Sequence, residues 1–283
     1  GFDEPNAVAL FLPHKPKGEQ YVLFVLPKES AAEVWTGFRW GVKGVLDSFD
    51  VDISHSLNEL PSLLPNYLEG AEGIAFRVGK HPNLEPLVLK TWSEHLQTLP
   101  RSGFKPFSMI APCPILHDMR LRKDKYEIER MRIASQISAE AHEFIREFAR
   151  PGMNERDLQA QIEKYFLEKG TRGPAYGSIV ASGDNACVLH YTANNSQIKN
   201  GDLVLIDAGC SLDDYYNGDI TRTFPINGRF SGEQKALYEI ILTAQKAAIE
   251  CVCPGGNAEN VHMTALKHLV EGLVDIGLLF GAV

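Results

Sequence analysis

The chain is predicted to be α/β (α+β) and built as two domains, on three observations. Short apolar runs alternate with helical patterns through roughly the first hundred residues. A sustained three-to-four-residue periodicity then begins near residue 123. After it, residues 201–224 return to buried-strand and alternating patterns. At 283 residues the chain is long enough for two cores.

The first domain opens with apolar runs at 7–12 and 21–26, the former reading as a buried strand. The turn-rich Pro13-His14-Lys15-Pro16-Lys17-Gly18 between them makes them neighbouring strands. Residues 57–68 suggest a short helix that Pro61 and Pro65 would interrupt. Residues 73–78 suggest a further strand. Trp35, Trp40 and Trp92 are expected to serve as core packing. Prolines and a cysteine crowd 105–114, and the boundary drawn there gives domains 1–116 and 117–283.

The second domain begins with a long helix over about 123–149, with Ile137, Ala141, Phe144, Ile145 and Phe148 on one face. Pro151-Gly152 ends it. Asn154 caps a second helix whose stripe is Leu158, Ile162, Tyr165 and Phe166, stopping at Gly170. Residues 203–207 read as a buried strand and 219–224 as a half-buried one. The polar connection 211–218 would make them a hairpin. Ser231-x-x-Gln234 is a capping box that opens another helix.

Pro151-Gly152-Met153-Asn154-x-x-x-Leu158 returns as Pro254-Gly255-Gly256-Asn257-x-x-x-Val261, and Lys164 and Glu168 align with Lys267 and Glu271. Read as a duplication, this places a second half-sheet beyond residue 283. Gly1 in place of methionine and the apolar end at 278–283 give the same expectation, a chain cut at both ends.

Composition excludes some functions. A net charge of −8 argues against nucleic acid, whose phosphates demand a basic surface. No apolar run reaches the ~18 residues of a membrane helix. Five scattered cysteines without CxxC spacing suggest a reducing, cytoplasmic compartment.

Asp207 and Asp219 carry the chemistry. Asp207 ends a strand of Leu, Val and Ile, where a lone ionised carboxylate is costly. A second aspartate on the adjacent strand adds like-charge repulsion, and cations relieve both costs. Paired carboxylates on neighbouring strands can chelate one divalent ion and bridge to another about 3.5–4 Å away. Hard oxygen ligands with histidine suit Mn²⁺, Zn²⁺ or Co²⁺. Two arbitrary aspartates would instead be a strand end and a turn; the surrounding sequence favours the metal.

That sequence resembles a known family. Ile206-Asp207-Ala208-Gly209-Cys210 and Gly218-Asp219-Ile220-Thr221-Arg222-Thr223-Phe224-Pro225 are similar to the two-strand metal signature of aminopeptidase P enzymes, within the pita-bread (creatinase-type) metallopeptidase family. Ile179-Val180-Ala181-Ser182-Gly183-Asp184-Asn185 with Leu189-His190-Tyr191-Thr192 resembles its first histidine segment. His117-Asp118-Met119-Arg120-Leu121 with Glu127-Ile128 resembles its inter-domain entry. Glu33-Val34-Trp35-Thr36-Gly37 resembles part of its N-terminal domain.

The resemblance implies a creatinase-like α/β domain, incomplete at its start, followed by the first part of a duplicated pita-bread domain that lacks its second half. It implies two metal ions, usually manganese, that activate water to release an N-terminal residue preceding proline. Asp207 would be a ligand to one metal and Asp219 would bridge both. His190 would be a catalytic, substrate-binding histidine that stabilises transition-state charge without ligating metal. Partners would be peptides with proline second, and a homo-oligomer, dimer or tetramer, is expected. A Xaa-Pro dipeptidase and a non-catalytic binding homologue are the alternatives. Two departures stand out. The aspartates are 12 apart, one more than the family usually shows, and no histidine and glutamates matching the remaining ligands follow Asp219. The 283-residue chain is therefore expected to be inactive on its own.

Overall fold

The computed structural model describes residues 2–102 and 107–281, which fall into two compact units, Gly1–Lys123 and Asp124–Val283.

In the first unit, strands β1 (Val8–Phe11) and β2 (Tyr21–Val25) pair antiparallel. Helices α1 (Ser30–Thr36) and α2 (Gly41–Ser48) follow, and β3 (Ile53–Ser56) returns parallel to β2. The sheet order β1-β2-β3 leaves β1 at an edge, with Phe11 73% exposed, so the expectation of a buried strand there is corrected. Only one face of an edge strand is covered here, whereas central β2 buries Val22, Leu23, Phe24 and Val25. A 3₁₀ turn, Leu57–Glu59, leads into α3 (Leu60–Tyr67). Pro61 occupies its first turn, where an N–H has no helical partner, and Pro65 is carried inside rather than breaking it.

The unit closes with β4 (Gly73–Ala75), α4 (Glu85–Ser102), β5 (Ser108–Ile110), parallel to β4, and α5 (Cys113–Leu121). Part of 105–114, read from sequence as the boundary, lies outside the described residues. Trp35 is 88% exposed, against the expectation of core packing.

The second unit starts with α6 (Lys125–Phe148), capped by a reciprocal Asp124–Glu127 box. Gly152, at φ 89°, turns the chain into α7 (Glu155–Glu168), capped by Asn154. Short β6 (Gly173–Pro174) and then β7 (Ile179–Ser182) follow. Strand β8 (Leu203–Asp207) is central, with β7 and β10 (Thr221–Pro225) antiparallel on either side. Between β8 and β10, β9 (Cys210–Ser211) pairs with β6.

The run 203–207 is not buried throughout. Val204 and Ile206 are fully buried, while Leu203, Leu205 and Asp207 face the other, half-covered side. The buried face meets Ala141, Ile145, Leu158, Ile162 and Phe166 of α6 and α7 in one core. Ser231 and Gln234 form the reciprocal box that opens α8 (Gly232–Glu250). Asn257 caps α9 (Ala258–Asp275). The two copies of the repeat match in local detail. Gly152 and Gly255 both adopt positive φ, Asn154 and Asn257 both cap, and Lys164–Glu168 and Lys267–Glu271 are both i,i+4 ion pairs. Among the described residues no helix is long and apolar enough to cross a membrane.

Candidate metal centre

The centre is made where β8 and β10 meet. Their register sets Asp207 opposite Thr221, and Asp219 precedes Thr221 by two residues, so both carboxylates project from one face of the sheet. Asp219 lies just outside β10, and the backbone pairing reaches it through the Ala208 N–H, which donates to Ile220 O at 3.1 Å. The strands come very close here. A Cβ on Gly209 would lie 1.9 Å from Gly218 O, and one on Gly218 would lie 2.2 Å from Ser138 Oγ. Neither position can carry a side chain, and that contact fixes the spacing of the two aspartates.

Tyr176 joins them. Its hydroxyl lies 2.6 Å from Asp207 Oδ1 and 3.0 Å from Asp219 Oδ1. A phenol has one proton and can donate it to only one carboxylate. The second contact sets oxygen lone pairs against each other unless positive charge reaches the pair. Burial, then the two carboxylates, raises the phenol well above its ordinary range and keeps it protonated. Asp207 is half-buried and Asp219 exposed, which corrects the expectation that Asp207 is buried. The open sides of both carboxylates are available to cations. Oxygen donors of this kind fit hard divalent ions. Among the described residues, no group of three or more His, Cys, Asp or Glu gathers around a common point.

Helix α6 holds the backbone behind Asp207. His142 Nε2 is 3.0 Å from the Ala208 carbonyl, which a protonated Nε2 satisfies, and burial keeps this imidazole's pKa below its ordinary range. Ser138 Oγ accepts from the Cys210 N–H at 3.0 Å and donates to Ala134 O at 2.8 Å. The connection 211–218 is more than a polar loop. Leu212 N–H donates to Tyr216 O, Gly218 N–H donates to Cys210 O, and Tyr215 turns at φ 66°. Asp214 accepts from Arg130 Nε at 2.6 Å and Tyr126 OH at 2.7 Å, and Tyr216 OH donates to Glu127 at 3.0 Å. The 12-residue separation is thus absorbed in the turn, and the ladder keeps both aspartates on one face.

His190 stands apart. It is exposed on the segment between β7 and β8, and among the described residues it has no hydrogen bond to either aspartate. The sequence reading singled out neither Tyr176 nor the pair Ser138 and His142. The latter had a signal, two polar residues four apart within the apolar face of α6.

The family model for metallopeptidase family M24 matches residues 129–281, which include both aspartates, Tyr176 and His190. The chain belongs to metallopeptidase family M24. A second model, the aminopeptidase P N-terminal domain, matches residues 1–75 of this M24 chain. Curated relatives include Xaa-Pro aminopeptidases of Haemophilus influenzae (39% identical) and Escherichia coli (36%), aligned over 100% of this chain. Human Xaa-Pro aminopeptidase 3 is 31% identical over 99% of it. The chain spans only 63% and 64% of the two bacterial proteins and 55% of the human one.

Among solved structures, Pseudomonas aeruginosa aminopeptidase PepP superposes with a TM-score of 0.93 at 40% identity, covering 99% of this chain and 63% of that one. Zinc-substituted E. coli aminopeptidase P in complex with product gives 0.93 at 36%, covering 99% and 64%. The α/β architecture, with an aminopeptidase P N-terminal domain and part of an M24 domain, is that of these enzymes.

Proposed function

We propose that this chain is part of a metal-dependent exopeptidase that releases an N-terminal residue preceding proline. One observation carries the reading: two carboxylates from paired strands sit on a single phenol oxygen, an arrangement short of positive charge. The Xaa-Pro aminopeptidases aligned along the whole chain support the substrate class.

In this reading Asp207 and Asp219 would hold divalent ions, Mn²⁺ first and Zn²⁺ or Co²⁺ as substitutes, as the family resemblance implies. Bound there, the ions supply Lewis acidity toward water and the scissile carbonyl. Tyr176 would orient the pair, its hydroxyl 2.6 Å from Asp207 Oδ1 and 3.0 Å from Asp219 Oδ1 and able to donate to one of them at a time. His190 binds the substrate and donates a hydrogen bond to the developing oxyanion. Two carboxylates with no third donor gathered among the described residues would hold a divalent ion weakly, so the 283-residue chain alone is expected to release nothing.

The test uses the full-length protein, stripped with a chelator and reloaded with Mn²⁺. It should release the first residue from a peptide with proline second, and lose that activity when alanine replaces the proline. Equal hydrolysis of both peptides, or full activity without metal, overturns the reading.

A further inference from the structure

The mechanism above leaves one buried charge unused. Glu155, the first residue of α7, is fully buried. Hydrogen bonds support its carboxylate. Its Oε1 accepts from the Ser182 N–H at 2.8 Å, the Ser182 hydroxyl at 2.8 Å and Asn185 Nδ2 at 3.1 Å. Its Oε2 accepts from the Tyr191 hydroxyl and the Ser196 N–H, each at 2.9 Å. These donors are spread along one loop. Ser182 ends β7 where the loop leaves the sheet, Asn185 and Tyr191 lie within it, and Ser196 is where it returns. Asn185 Nδ2 also reaches Tyr191 OH at 3.1 Å and Ser196 Oγ at 2.9 Å, tying the loop to itself around the carboxylate.

At the tip of this loop the Val188 N–H donates back to Asn185 O at 3.0 Å. Val188 and Leu189 are 54% and 85% exposed, and His190 is exposed beside them. Their position is therefore set from the base, and Tyr191, adjacent to His190, is the nearest residue bound to that base. We propose that Glu155 is the positioning residue of the 183–195 loop, fixing where His190 stands. The consequence for catalysis rests on the assignment of His190 made above.

An ionised carboxylate suits the role because it only accepts, and all five groups facing it donate. Glutamine in its place turns an amide N–H₂ toward either the Ser182 and Asn185 donors or the Ser196 N–H, so no orientation preserves the set.

The experiment uses the full-length, Mn²⁺-loaded protein. In Glu155→Gln, amides of 183–195 should exchange with deuterium at least about tenfold faster, while those of β8 stay protected. A misplaced catalytic group costs on the order of 10²-fold, so kcat on an Xaa-Pro peptide should fall roughly 10- to 100-fold, with bound metal within about twofold. In a His190→Ala background, adding Glu155→Gln should change kcat by less than about threefold, since its effect passes through His190. Tyr191→Phe, which removes only the link beside His190, should lower kcat by a smaller factor and serves if Glu155→Gln does not fold.

Unchanged loop exchange, or a Glu155→Gln penalty of equal size with and without His190, overturns the proposal. Local loosening together with a harmless His190→Ala supports Glu155 as the loop's positioning residue and sinks the catalytic assignment of His190 instead.

Discussion

Two carboxylate sites in the same unit are built in opposite ways. Glu155 is fully buried and met by five protein donors. Asp207 and Asp219 are more open and have one phenol proton between them. Both are negative charges that folding has had to accommodate. At Glu155 the protein supplies the whole compensation, and the product is order. At the aspartates it supplies almost none, and the lone pairs remain for something else. Donor count therefore separates a carboxylate that organises backbone from one that the proposed function gives to a cation, even though both are acids near the ends of regular elements.

The sharpest way to break this contrast is to neutralise each site in the full-length protein. Asp207→Asn or Asp219→Asn should lose bound metal. Because Lewis acidity is worth several kcal/mol, activity should fall by at least ~10³-fold. The metal-free melting temperature should stay level or rise, because a repulsion is relieved. A large drop in melting temperature would mean that the aspartates are structural acids like Glu155. The 283-residue chain offers a related check. Titrated calorimetrically with Mn²⁺, it should bind weakly and cleave no Xaa-Pro peptide, and measurable turnover would contradict the reading.

Glu155→Gln should do the reverse. Bound metal is kept, while stability falls by about 1–3 kcal/mol, the cost of facing buried donors with an amide. The effect should depend on pH. Burial raises the Glu155 pKa, but hydrogen bonds from Asn185, Ser196, Ser182 and Tyr191 outweigh it and hold the carboxyl below its ordinary range. A depressed folded pKa gives a contribution that is complete above the unfolded value, about 4.3, and lost as pH falls through the folded one. Denaturant unfolding between pH 6 and 3 should show that loss in the natural chain and a flatter profile in the variant. The smallest change is expected from Tyr176→Phe. It removes one shared hydrogen bond, costs about 1 kcal/mol in the metal-free protein, and leaves metal affinity within roughly tenfold. Loss of metal on that change would give the phenol a larger part than the one assigned here.

Sequence made the aspartates visible chiefly through the resemblance of the residues around them, since a strand end and a turn would otherwise account for both. The repeat was also visible, as matching Pro-Gly-x-Asn punctuation, and the caps at Asn154 and Asn257 follow from it. Glu155 was not visible. Acids are favoured in the first turn of any helix, and nothing local distinguishes a solvated one from one enclosed by a loop 30 residues later. Tyr176 was hidden for a similar reason, since its role depends on a backbone bond from Ala175 N–H to Gly209 O that only the folded sheet reveals. The edge character of β1 and the exposure of Trp35 escaped because apolar composition does not say how many neighbours a strand or ring will have.

The glycine contact between positions 209 and 218 has a consequence for how this hairpin tolerates change. Because the two strands touch there with no room for a side chain, the stretch from Ser211 to Asn217 lies beyond a fixed pinch, as rope lies past a knot, with Asp214 and Tyr216 tied back to Arg130, Tyr126 and Glu127. Residues gained or lost in that stretch would strain those ties before they reached the pair of acids on the near side. Variation in length across such hairpins should accumulate at the tip, and the knot itself should admit none.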